Sequence, residues 1–295
     1  MLKYRLVFGT LMTILFTAVV IFDGRLDSYM PVSVTGDKPV QGTILCVLMI
    51  ILVILAQLEF AKLAAEKDLK IFTPVAITAS ILFSTCWYWQ QLIRVPPQIY
   101  LTFLQVFTLL ALLLYQYIRH GTTETIANCG ANYLSIIYLG LLSSFVLAIR
   151  IKFGPWPLLM FVFVVKSSDI GAYASGSLWG KHKFSPRISP GKTWEGMTGA
   201  VVVAMIVAIG FAAICGIMAW WLAAIFGVCF AFIGQLGDLA ESMIKRDADR
   251  KDSANKVPGF GGILDIIDSP LAAAPFAYLF FMCSAGDSIL QHAAT

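Results

Sequence analysis

Residues 42–61 read GTILCVLMIILVILAQLEFA, a run with one charged side chain, Glu59. As a helix this run is about 30 Å long, which matches the hydrocarbon core of a bilayer. Comparable stretches recur at about 6–22, 72–92, 98–118, 133–150, 156–174, 197–214, 217–235 and 264–284. They are long and apolar on every face, unlike the ~10-residue alternating segments of a membrane β-barrel. Composition agrees: 59% of the 295 residues are hydrophobic and 13% charged, against roughly a quarter charged in a soluble domain. The mean hydropathy is +0.81. The chain is therefore expected to be all-α, a polytopic integral membrane protein of about nine transmembrane helices. The first stretch follows Lys3 and Arg5 as a signal peptide would. No small-residue cleavage site comes after it, so it is expected to stay as the first helix.

The loops carry an orientation signal. With the N-terminus cytoplasmic, the inner loops hold Lys3 and Arg5, then Lys62, Lys67 and Lys70, then Arg119. Further along they hold Lys181, Lys183, Arg187 and Lys192, and finally Lys245, Arg246, Arg250, Lys251 and Lys256. The outer set is Arg25, Lys38, Arg94, Arg150 and Lys152. This bias puts loops 175–196 and 236–262 together on the cytoplasmic side. The expected location is a cytoplasmic (inner) membrane of bacterial type. The six cysteines have neither metal-site nor disulfide spacing. No basic-aromatic module supports nucleic-acid binding.

Charge divides the chain into residues 1–130, N-terminal transmembrane helices, and 131–295, a C-terminal region carrying the chemistry with those two loops. In the first part Glu59 stands out, and is expected to snorkel to the interface or pair with Lys62. In the second part Asp169, Asp238, Glu241, Asp265 and Asp268 lie within or at the ends of apolar helices. Ionisable groups at membrane depth are costly and mark function by default. Lys166 and Asp169 share a helix face, which allows a self-neutralising pair.

Loop 175–196, SGSLWGKHKFSPRISPGKTWEG, has no helical period. Its glycines, prolines and cations suit polyphosphate binding through backbone N–H groups and charge. Its GKT lacks the upstream glycine of a Walker A loop. Lysines on either side of His182 disfavour a bound metal there. In the second loop, helical spacing puts Asp238, Glu241 and Ser242 on one side. The interleaved Asp247, Asp249 and Arg250 read as an exposed, salt-bridged face. Asp265 and Asp268 project from nearly the same face, one turn apart. Their mutual repulsion is relieved by a shared cation, and hard divalent ions take such oxygen ligands. Gly259, Gly261 and Gly262 permit close approach of an anion or of an adjoining helix.

Taken together these residues resemble the phosphatidate cytidylyltransferases (CDP-diacylglycerol synthases). The likeness runs through Ser242, Lys245, Arg246, Lys251, Asp252, Pro258, Gly261, Gly262, Asp265 and Asp268. It extends to QLGDLAES before them and to the stretch from Ser168 to Gly196, covering about residues 160–275. Phe260 and Ile266 stand where the family has histidine and arginine, so roles of those two side chains do not transfer.

The resemblance implies transfer of CMP from CTP to phosphatidate, with Mg²⁺ and a second, monovalent cation. It makes Asp238, Asp265 and Asp268 metal ligands and catalytic residues. Ser189, Lys192 and Thr193 would hold nucleotide phosphates, with Gly261 and Gly262 beside them. Lys245, Arg246 and Lys251 would receive the lipid phosphate or pyrophosphate, and Asp169 would orient a cation or a metal-bound water. CTP, phosphatidate in the bilayer and membrane lipids are the expected partners. A homodimer is compatible with the small residues of 196–216. Three other readings stand beside this one: a CTP-dependent enzyme acting on another lipid phosphate or a polyprenol, a membrane cation transporter, and a non-catalytic member of the family.

Overall fold

A computed structural model describes residues 2–34, 36, 38–254 and 261–293, with side chains described for 8–34, 36, 38–254 and 261–284. Lys256, Pro258, Gly259 and Phe260 lie outside the described residues. Regular structure among the described residues is helical, with two isolated bridges, Val32 with Pro39 and Lys183 with Thr193. The helices are α1 (Leu2–Leu26), α2 (Thr43–Ala65), α3 (Thr73–Ser84), α4 (Cys86–Trp89), α5 (Pro97–His120) and α6 (Thr125–Ser135). A π-helical segment, Ile136–Leu141, joins α6 to α7 (Leu142–Phe153). Then come α8 (Pro155–Trp179), α9 (Trp194–Cys215), α10 (Trp220–Asp247) and α11 (Ile263–Ala293).

Eight spans among the described residues are long and apolar enough to cross a membrane. The expected segment 72–92 is instead broken at Thr85 into α3 and α4. Thr85 Oγ1 donates to the Ile81 carbonyl at 2.7 Å, and its backbone leaves the helical region (φ −99°, ψ 6°). Twelve residues of α3 reach only about 18 Å. The fold is thus that of a polytopic helical membrane protein, with eight long spans and a shorter apolar helix.

Packing groups the chain into two compact units, Met1–Ile151 with Asp247–Ile267, and Lys152–Arg246 with Asp268–Thr295. This grouping follows contacts, whereas the division at residue 130 follows charge.

In the first unit Phe72, Ala76, Ala79, Phe83, Leu112, Cys129 and Ile136 form a buried cluster from α3, α5, α6 and the π segment. Gly140 presses on Ser80, where an added Cβ would lie 2.8 Å from the Ser80 Cα. Asn132 Oδ1 accepts from Phe72 N at 2.7 Å, and Asn128 Oδ1 from Lys70 N at 2.9 Å, so two polar side chains of α6 order the approach to α3. A buried ion triad holds the other end. Arg150 bonds Asp23 at 2.8 Å and also Asp27. Asp23 Oδ1 accepts from Ile44 N and Leu45 N, and Asp27 Oδ1 from Gly42 N, so both carboxylates also cap the start of α2.

The second unit is built on very close helix contacts. Gly171 of α8 faces the Gly199 carbonyl of α9, and a Cβ there would lie 2.6 Å from that oxygen. Ala200, Ala204, Ala208 and Ala212 are buried along one stripe of α9, and Gly227 of α10 lies against Met205 of α9. The small residues of α9 therefore serve packing inside the unit. Phe161, Phe226, Phe230, Phe280 and Phe281 pack as an aromatic core, with Phe226 stacked on Phe230 and Phe161 and Phe280 edge-on.

Candidate active site

Gly237 of α10 sets the geometry of the charged cluster in the second unit. A Cβ at Gly237 would stand 2.8 Å from Ala272 Cβ, 3.3 Å from Ser269 Cα and 3.4 Å from the Asp268 carbonyl oxygen. With no side chain there, α10 and α11 approach closely, and Asp238 follows directly in sequence. One carboxylate oxygen from each of Asp238, Glu241 and Asp268 then lies within 4.8 Å of the others. Glu241 is fully buried and Asp268 is 4% exposed.

Cations from two helices and a loop meet these acids. Lys166 Nζ is 3.7 Å from Asp169 and 3.8 Å from Asp268. Lys192 Nζ sits 2.7 Å from Asp238 Oδ2 and donates to the Gln235 carbonyl at 2.9 Å. Lys245, itself buried, pairs with Glu241 one turn back on α10. Gln235 Nε2 donates to Asp169 Oδ1 at 3.0 Å, and Asp268 Oδ1 accepts from Ser269 N at 2.6 Å. Four carboxylates thus face three ammonium groups, an acidic excess that suits a hard cation with oxygen ligands.

Beside this network is a cavity of about 290 Å³, lined by Asp169, Tyr173, Phe184, Ser189, Lys192, Thr193, Gln235 and Asp238 among others. The loop that walls it is ordered by its own backbone. Trp194 N donates to the His182 carbonyl, Phe184 N to Lys192 and Lys192 N to Ser189. Thr193 Oγ1 accepts from Gly196 N at 3.1 Å and so caps α9. Glu195 receives the N–H groups of Lys181 and His182, and its Oε1 is 2.6 Å from His182 Nδ1. Arg246 Nε donates to the Ile188 carbonyl at 3.3 Å, which ties the loop to the end of α10.

Asp169, Ser189, Lys192, Thr193 and Asp238 therefore meet at one cavity, with Asp268 joined to Asp169 through Lys166. Lys245 and Arg246 lie on the same helix as Asp238. Lys251, Gly261, Gly262 and Asp265 belong to the other unit. There Lys251 is exposed, and Asp265 Oδ2 accepts from Gly262 N at 2.7 Å, Ser253 Oγ at 2.7 Å and Ser253 N at 3.0 Å. Glu241, Lys166 and Gln235 complete the network without having been singled out as site residues. Glu241 had a signal in its spacing of three from Asp238, but Gln235 had none.

A cavity lined by Lys192, the hydroxyls of Ser189 and Thr193 and the carboxylates of Asp169 and Asp238 offers contacts to a phosphate and oxygen ligands to a hard cation. Over 137 residues the chain is 42% identical to a phosphatidate cytidylyltransferase of Haemophilus influenzae, covering 42% of this chain and 46% of that protein. It is 38% identical over 176 residues to the Bacillus subtilis protein of the same name (59% and 65%). For the Mycobacterium bovis protein the identity is 40% over 124 residues (42% and 40%). The chain spans about half the length of the curated relatives it matches. The model of the cytidylyltransferase family, by contrast, matches from residue 4 to residue 284, taking in both units and every described site residue. On the strength of that match, the chain belongs to the cytidylyltransferase family.

Proposed function

We propose that this protein transfers CMP from CTP to phosphatidate at the cytoplasmic face of a bacterial-type inner membrane, releasing pyrophosphate and forming CDP-diacylglycerol. The observation that carries the proposal is the junction, at Asp238, of the cavity lined by Lys192, Ser189 and Thr193 with the Asp238–Glu241–Asp268 cluster. The names of the relatives supply the acceptor.

Lys192, Ser189 and Thr193 hold the nucleotide phosphates along the loop. Lys245, Arg246 and Lys251 keep the part that the resemblance implies, receiving the lipid phosphate or the departing pyrophosphate. Asp169 orients Lys166 and Gln235, and Gly261 and Gly262 let the chain turn tightly into α11. Asp238 and Asp268, with Glu241, would hold Mg²⁺, which when bound supplies charge neutralisation for the phosphates. The monovalent cation belongs to the same proposal. Asp265 enters through the bonds it makes, fixing the start of α11. The lipid phosphate is already ionised at neutral pH and needs no strong base, so the residues act by positioning and by offsetting charge.

Detergent-solubilised protein given CTP, phosphatidate and Mg²⁺ should release pyrophosphate and form CDP-diacylglycerol. Asp268→Asn should reduce that turnover at least about a hundredfold, while the protein still elutes as a folded species. Near-normal turnover in this variant would sink the metal assignment. A panel of lipid acceptors decides whether a polyprenol or another lipid phosphate is preferred. Cation flux into liposomes without CTP would favour transport instead.

A further inference from the structure

Lys166 and Asp169 share a face of α8, but they do not close on each other as a self-neutralising pair. The Lys166 ammonium stands 3.7 Å from Asp169 Oδ2 and 3.8 Å from Asp268 Oδ1, beyond hydrogen-bond length from both. Lys192, by contrast, meets Asp238 Oδ2 at 2.7 Å. One ammonium is therefore shared by a carboxylate of its own helix and a carboxylate of α11. Lys166, Asp169 and Asp268 all belong to the second compact unit. Two glycines of α10 bring their helices within reach. A Cβ on Gly234 would lie 3.2 Å from Val165 Cγ1, beside Lys166 on α8, and Gly237 admits α11 one turn further on. Ser167 and Ser168 come between Lys166 and Asp169 in sequence, and their hydroxyls turn back to the Val164 and Val165 carbonyls of α8 itself.

This sharing bears on how many metal ions the cluster can take. Asp238, Glu241 and Asp268 each offer an oxygen within 4.8 Å of the others. Asp169 is the fourth carboxylate of the network and stands outside that trio. Its Oδ1 accepts from Gln235 Nε2, and its Oδ2 faces Lys166. In two-metal sites the second divalent ion lies about 3.5–4 Å from the first. Here such an ion would share Asp268 with the first and take Asp169 as its further ligand. Those are the two carboxylates against which Lys166 stands. A second divalent ion would meet a like charge at short range, and repulsion of that kind is a means of excluding a competitor.

We propose that Lys166 is a specificity-determining residue of the metal cluster: its ammonium, held by Asp169 and Asp268, takes the place of a second divalent ion and limits the cluster to one. The inference rests on the proposed metal role of Asp238, Glu241 and Asp268. It gives Lys166 a part that a merely structural ion pair does not have, because removing the ammonium should add a metal ion rather than weaken metal binding.

The test is Mn²⁺ titration of the purified full chain without nucleotide, followed by electron paramagnetic resonance. The parent should bind one Mn²⁺. Lys166→Met should bind two, the second ion broadening the spectrum of the first, whereas Lys166→Arg keeps the charge and should bind one. Adding Asp169→Asn to Lys166→Met should return the count to one. The proposal is overturned if the parent binds two ions, if Lys166→Met binds one, or if the second ion persists without the Asp169 carboxylate. Should Lys166→Met not fold, Lys166→Gln takes its place and the same counts decide. No Mn²⁺ binding by the parent, or unchanged binding in Asp268→Asn, would instead strike the metal reading on which the inference stands.

Discussion

The two units each bury acids against cations, but they do so differently. In the first, Arg150 is shared by Asp23 and Asp27, and backbone N–H groups of Gly42, Ile44 and Leu45 complete the carboxylates. That network is satisfied by the fold and caps a helix. In the second, Asp169, Asp238, Glu241 and Asp268 meet Lys166, Lys192 and Lys245 at the edge of a cavity with room for a ligand. Buried charge alone therefore does not distinguish architecture from chemistry. The difference lies in whether the network caps a helix or borders a cavity.

The comparison can be broken where the expected effect is largest, at Arg150. Arg150→Leu leaves two buried carboxylates without their cation and should cost about 3–5 kcal/mol of stability, read as loss of thermal stability in detergent. Mn²⁺ affinity of the protein that remains folded should not change; a matching loss of affinity would erase the distinction between the networks. Next comes Gly237→Val, whose side chain would meet the rigid Ala272 Cβ. Separating α10 from α11 by about an ångström should lower turnover roughly a hundredfold, with a smaller change in thermal stability. Activity close to the parent's would mean that the close approach does not set the cluster. Smallest is Lys192→Ala, which should raise the KM for CTP roughly tenfold and leave folding intact. Unchanged CTP kinetics would move the nucleotide away from the loop.

Much of this was legible in the sequence. The apolar stretches forecast the spans because backbone groups in lipid must bond within a helix, and three of the acids in them, Asp238, Glu241 and Asp268, lie close together. What escaped depended on local backbone geometry or on contacts distant in sequence. Nothing near Thr85 announces that α3 stops there, since a change of backbone angles at one residue is invisible to apolar counting. Asp265 and Asp268 look equivalent as a pair spaced by three, yet the first bonds Ser253 and Gly262 while the second faces Lys166. Glu59 looked like an interfacial charge because its partners, Ser253 and Leu264, are some two hundred residues away.

The glycine contacts between α8 and α9 bear on how the loop between them works. Gly180 and Thr193 at its ends nearly touch, with a Cβ on Gly180 placed 2.9 Å from Thr193 Oγ1. The helices that deliver those ends are too close at Gly171 and Gly199 to slide or roll. The loop is thus an Ω-shaped template on a rigid frame rather than a flap. On the proposed function, a nucleotide entering there would find its phosphate contacts already arranged, with little of its binding energy spent on ordering protein.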